Sequence, residues 1–243
     1  MSVMTAGSGR LAQDLRDAAL PAARTLATVT LVGIGCGILT VGVLSRLAML
    51  LLARLNPAAT GVTSDDGFVM GQFTLAGSLN LLLFAGPFFG VLGAGFYVAL
   101  RGLRIGPIWF RLLSVSLGPA VVVAAFIVHT TGVDFRLLEP LWLAIGLFVL
   151  LPAAYVVMLS VVAERMLTRW PEPPWPVLVL GLLAWAPLFP GLALLVAGWA
   201  ALRTPPGGAI RATPTAAWVA RGLLTVVFLL AVADLTRDYV ALT

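Results

Sequence analysis

Residues 71–111 read GQFTLAGSLNLLLFAGPFFGVLGAGFYVALRGLRIGPIWFR. No charged side chain occurs from Gly71 to Leu100, and Arg101, Arg104 and Arg111 then fall within eleven residues. Crossing the hydrocarbon of a bilayer takes about 20 apolar residues in a helix. An arginine at the centre of such a helix costs roughly 2.5–3.5 kcal/mol, so arginines collect at its end, and preferentially at the cytoplasmic end. The stretch therefore predicts a transmembrane helix over about Leu75–Leu100 with a cytoplasmic basic anchor.

The rest of the chain belongs to the same class. Of 243 residues, 60% are hydrophobic and only 10% charged, and the mean hydropathy is +1.05. Soluble domains carry about 25% charge, so this inventory cannot build a surface facing water. A β-barrel would alternate apolar and polar residues in segments of about ten, and the apolar runs here are continuous. The fold class expected is all-α: a polytopic helical membrane protein, in the cell membrane, with the lipid bilayer as its first partner.

Net charge is +5, yet nucleic acid is not expected as a partner. All fifteen basic residues are arginine, scattered in twos and threes between apolar runs rather than gathered into a basic stripe. The absence of lysine excludes Schiff-base and Walker A chemistry. One cysteine, Cys36, permits no disulfide within the chain, and one histidine, His129, permits no histidine-rich metal site. No cofactor is expected.

Residues 1–25 carry Arg10, Arg16 and Arg24 against Asp14 and Asp17. Leu11, Leu15 and Ala18 mark a weak amphipathic stripe suited to the membrane surface, ended by Pro21. No cleavage signature follows, so the first apolar run is expected to be retained. Six spans are predicted within residues 26–234: about Leu26–Ser45, Leu75–Leu100, Ile108–Thr130, Leu141–Val162, Val177–Leu202 and Ala216–Ala233. Residues 235–243 would form a short cytoplasmic tail.

Six spans put nine arginines inside and six outside. An alternative organisation has five spans, with residues 177–202 a re-entrant hairpin turning at APLFPG (186–191). It would move Arg203, Arg211 and Arg221 inside, for eleven against four. Charge favours the hairpin. The length of 26 charge-free residues favours a full span.

Three sets of residues stand out. Gly86, Gly90 and Gly93 sit at i, i+4 and i+7, a smooth face against which another helix can pack closely. Pro87, Pro119, Pro152, Pro187 and Pro190 lie near the middles of the four central runs, where each removes a helical hydrogen bond and kinks the rod. Arg221 has only twelve apolar residues beyond it before Asp234, too few to cross, so it must snorkel or find an anion. With six spans, Glu139 is the acid placed to pair with it.

No ionisable residue falls at the centre of a span, which argues against a proton relay. Asn80, Ser114 and Ser116 are the polar groups noted near membrane depth. Asp65, Asp66, His129, Asp134 and Glu139 gather on the extracytoplasmic side, with a spacing that matches no metal-ligand pattern. AGSLN (76–80) is not a nucleophile elbow. The chain is expected not to be an enzyme. The function favoured is a non-catalytic membrane component that packs against a membrane-protein partner or another copy of itself. A permease or channel-like subunit with a kinked core is the alternative.

Overall fold

The computed structural model describes residues 2–64, 69–72, 74–130, 134–204 and 213–243, with side chains from Ala12 onward. Asp65, Asp66 and Arg211 lie outside these residues. The all-α class holds: five helices are long and apolar enough to cross a membrane, and a bent helical pair forms a sixth apolar run.

The first helix, α1, joins Ser2–Gly37, a π-helical stretch Ile38–Leu44, and Ser45–Leu55 into one unbroken rod. Pro21 does not end it, contrary to the sequence expectation. A proline breaks a helix by clashing with the carbonyl four residues earlier, but the backbone here continues through it. The amphipathic start therefore has no hinge after it on which to turn along the membrane surface. Arg24 and Arg46 are 22 residues apart, about 33 Å along a helix at 1.5 Å per residue. That matches the roughly 30 Å of hydrocarbon, so α1 projects past the bilayer at both ends.

The second helix, α2, joins Leu75–Asn80, a π-helical stretch Leu81–Ala85, and Gly86–Leu100, and a 3-10 turn at Arg101–Leu103 ends it. Then come α3 (Ile108–Ile127), the short α4 (Asp134–Leu137) and α5 (Leu141–Arg169). The bent pair is α6 (Trp175–Leu183) and α7 (Phe189–Ala201), and α8 (Pro214–Leu242) is last.

Helix α1 organises the bundle, packing against α2, α5 and α6. It runs antiparallel to α2, with Gly33 beside Gly90, Gly37 beside Gly86, Gly42 beside Leu82, and Arg46 donating to the Thr74 carbonyl at 3.4 Å. Their π-helical stretches face each other. A second cluster closes the end remote from Arg24: Leu52, Val128, Phe135, Leu138, Ala144 and Ile145, joined by Leu235 and Leu242 of α8.

Asn56, 8% exposed, fastens this remote end. Its side-chain amide donates to the Leu52 and Glu139 carbonyls, both at 2.9 Å, and accepts the Glu139 N–H at 2.8 Å. Asn56→Ala would leave the Glu139 N–H and carbonyl without these partners, at a cost of about 2 kcal/mol. Thermal unfolding in detergent should show that loss. Asn56→Asp, which keeps the acceptor and loses the donor, should lie in between. An unchanged melting temperature for Asn56→Ala would show that the staple is not needed.

Helix α8 decides how often the chain crosses. Arg221, near its start, donates from Nε to the Leu103 carbonyl at 3.0 Å, so this end lies beside the turn after α2. Leu235 and Leu242 lie in the remote cluster. Segment 170–213 thus leaves α5 and enters α8 at the same end of the bundle. These end points favour the five-span alternative, with 177–202 as an intramembrane excursion, while by length and composition the bent pair also qualifies as a sixth span. The excursion is not a tight hairpin, because α6 and α7 are bent by about 40° at their break. Residues 235–242 are the last turns of α8, packed at the remote end.

Candidate functional site: the glycine seam and the basic end

The sequence-predicted glycines sit where the backbones of α1 and α2 approach closely. A Cβ on Gly90 would stand 2.5 Å from the Gly33 carbonyl oxygen, and one on Gly86 2.9 Å from Ile38 Cα. Only hydrogen fits where two helix backbones touch, and such contacts let dispersion hold helices together in lipid. Gly93 lies under the ring of Tyr155, whose hydroxyl donates to the Gly90 carbonyl at 2.9 Å. One glycine face thus meets α1 at two positions and α5 at the third. The seam closes the middle of the bundle.

The kink prolines behave differently from one another. Pro119 and Pro152 lie within unbroken helices, and Pro87 begins the helical turns after the π-helical stretch of α2. Pro187 lies in the 3-10 turn between α6 and α7, and Pro190 in the first turn of α7. Trp185, 2% exposed, anchors that break: its indole N–H donates to Thr30 Oγ1 at 3.0 Å, and its ring lies on Gly95. Gly181 rests on the backbone of Ala27, which holds α6 against α1.

The Arg221–Glu139 pair does not form. Arg221 is at the basic end, on the Leu103 carbonyl and over the Trp218 ring at 4.9 Å. Glu139 is at the remote end, where Asn56 holds its backbone. The pairing required six crossings, and the excursion of 170–213 places the two residues on opposite sides. His129 and Glu139 are exposed, and no three His, Cys, Asp or Glu among the described residues are arranged to hold a metal ion. Ser114 and Ser116 donate to carbonyls of their own helix, Arg111 and Leu113, and Asn80 is exposed.

The charge cluster that the structure does build centres on Glu164, near the end of α5. Arg101 grips its carboxylate with Nε at 2.9 Å and Nη2 at 2.6 Å, Arg104 Nη2 approaches at 2.5 Å, and the Tyr97 hydroxyl donates at 2.7 Å. Arg104 also donates to the Tyr97 oxygen at 3.1 Å and stacks over its ring at 5.2 Å. Two guanidinium groups and a phenol saturate one carboxylate. A bidentate guanidinium fixes orientation as well as distance, so the cluster locks the α2–α3 turn to α5. Tyr97 stands on the last helical turn of α2, Arg101 opens the 3-10 turn and Arg104 follows it in extended backbone, so the turn itself brings the three to one acid. Beside this cluster Arg24 bridges to Glu172 at 2.9 Å.

Comparison of the chain with family models, curated proteins and solved structures returns no match.

Proposed function

We propose that this protein is a non-catalytic component of the cell membrane that packs in the bilayer plane against a partner membrane protein or a second copy of itself. Helix α8 carries the proposal: of its 29 residues only Asp238 is buried, and along its length it packs mainly on α3, touching the turn after α2 at its start and the remote cluster at its end. Without a hydrophobic drive between helices in lipid, a span attached on one side is free to take a second helix on the other. The closed glycine seam favours this role over transport, which needs an opening between helices at mid-membrane. Cavities of about 220 and 250 Å³ are walled by none of the kink prolines.

Orientation belongs to the same proposal. Leaving aside Arg203, which stacks on Trp199 of α7, eight of the arginines with described side chains (16, 24, 101, 104, 111, 165, 169 and 221) lie toward the end marked by Glu164, and four (46, 54, 136 and 237) toward the other. The positive-inside bias puts the arginine-rich end in the cytoplasm.

Photo-crosslinking residues at Val226 and Leu229 of α8, and at Phe126 of α3 as a lipid-facing control, test the role in native membranes. Protein adducts of one defined mass are expected from α8, and lipid adducts from Phe126. Lipid adducts alone from every position, together with solute flux through the purified protein in liposomes, would replace the proposal with the permease.

A further inference from the structure

Two cavities lie along one face of α1. Thr25, Thr28, Val32, Gly35 and Leu39 alternate at three and four residues, which makes them a single stripe. At the basic end, Thr25 and Thr28 join Arg24, Arg101 and Trp170 around a polar cavity of about 220 Å³. Thr28 is 2% exposed, and its hydroxyl has no hydrogen-bond partner among the described residues. Leaving a buried hydroxyl unsatisfied costs about 1–3 kcal/mol, so this wall lacks a complementary group. The charges around it are Arg24, Arg101 and Arg104 against Glu164 and Glu172, a surplus of one positive. Glu172 is 78% exposed at its side chain and holds Arg24 only from the solvent side.

Deeper in the membrane, the same stripe of α1 meets Met158 and Val162 of α5 across an apolar groove of about 250 Å³. Gly35 opens the groove, since a Cβ there would meet nothing within 4 Å. Thr28 and Leu39 are eleven residues apart, about 16 Å along the helix. A polar, cationic cavity at the membrane surface thus continues along one helix face into an apolar groove reaching toward the bilayer centre.

We infer that this face of α1 binds an anionic phospholipid. Its phosphate sits between Arg24 and Arg101 and accepts the Thr28 hydroxyl proton in a hydrogen bond, and one acyl chain lies in the groove over Gly35. Basic pockets between transmembrane helices on the cytoplasmic side suit anionic headgroups. The apolar groove is what distinguishes a lipid from a free phosphate ion. The inference stands apart from the proposed packing role, since it concerns the face of α1 and not α8.

Phosphatidylglycerol, phosphatidylcholine and inorganic phosphate, each titrated into the delipidated full-length protein in detergent, provide the test. Bound lipid is read by native mass spectrometry, and phosphate by thermal shift. Phosphatidylglycerol should bind about fivefold more tightly than phosphatidylcholine, the effect of one surface arginine. Arg24→Gln should remove most of that preference, and the isosteric Thr28→Val should reduce it without changing the fold. Gly35→Leu should weaken both lipids by filling the groove. Equal binding of the two lipids, or an undiminished preference in both Arg24→Gln and Thr28→Val, would overturn the inference. So would inorganic phosphate stabilising the protein as strongly as phosphatidylglycerol, which would make the site one for a free anion.

Discussion

Gly90→Leu is expected to be severely damaging. The first added carbon already falls 2.5 Å from the Gly33 carbonyl oxygen and 2.7 Å from Ile38's neighbour in the seam, Ile34 Cα. Both are backbone atoms of α1, so no side chain can rotate away. Relief requires moving α1 from α2, and with it the Tyr155 hydroxyl that bonds the Gly90 carbonyl. Overpacking a well-fitted core costs about 1–3 kcal/mol, and a clash with two fixed backbone positions belongs at or above the top of that range. Gly35→Ala on the same helix, where the added carbon meets open space, should be nearly neutral. Thermal unfolding of both variants in one detergent checks the contrast. Equal melting temperatures would remove the seam as the packing centre.

Glu164→Leu should have the next largest effect, for a different reason. It takes the acceptor from Arg101, Arg104 and Tyr97 together. Arg104 is the most enclosed of the charged partners, at 18% side-chain exposure, while Glu164 is 34% exposed. The pair therefore lies between the surface case, worth at most about 1 kcal/mol, and the buried case, where losing one partner costs roughly 3–5 kcal/mol. A loss of about 2–3 kcal/mol is expected, and a smaller one for Glu164→Gln, which keeps an acceptor for the Tyr97 hydroxyl. The double variant Glu164→Leu/Arg104→Leu should recover part of the loss, because the stranded guanidinium is gone. Strictly additive losses would show that the two residues act independently.

How much of this was legible in the sequence differs from element to element. The helices of α2, α3 and α5 follow from charge-free runs of spanning length, because lipid forces every backbone polar group into a helix. The glycine face at 86, 90 and 93 was equally visible, since small residues at helical spacing in an apolar run have little else to do. Its partners, Gly33 and Gly37, are just as visible, but nothing in one sequence pairs two faces. Run 177–202 reads two ways in the sequence, as a span by length and as an excursion by charge. Its 26 apolar residues satisfy a span, whereas tertiary contacts decide its course: Gly181 on Ala27, Trp185 on Thr30 and Gly95, then a break at Pro187 and Pro190. The Arg221–Glu139 pair depended on the span reading, and the two residues lie apart. The arginine count had pointed to the path found, because each arginine reports which face its own helix end reaches. The Glu164 cluster is not legible in the sequence, because a turn and not a helical spacing brings Arg101 and Arg104 onto one carboxylate.

The path of the chain is the central claim, since the seam, the basic end and the exposed last helix all depend on it. Single cysteines placed at Gly102 and at Thr243, in a Cys36→Ala background and labelled with a membrane-impermeant maleimide on whole cells, test it most directly. Five crossings predict that Thr243 labels from outside, whereas Gly102 labels only after the membrane is permeabilised. Labelling of both positions only after permeabilisation would place the last helix in the opposite direction and contradict the account.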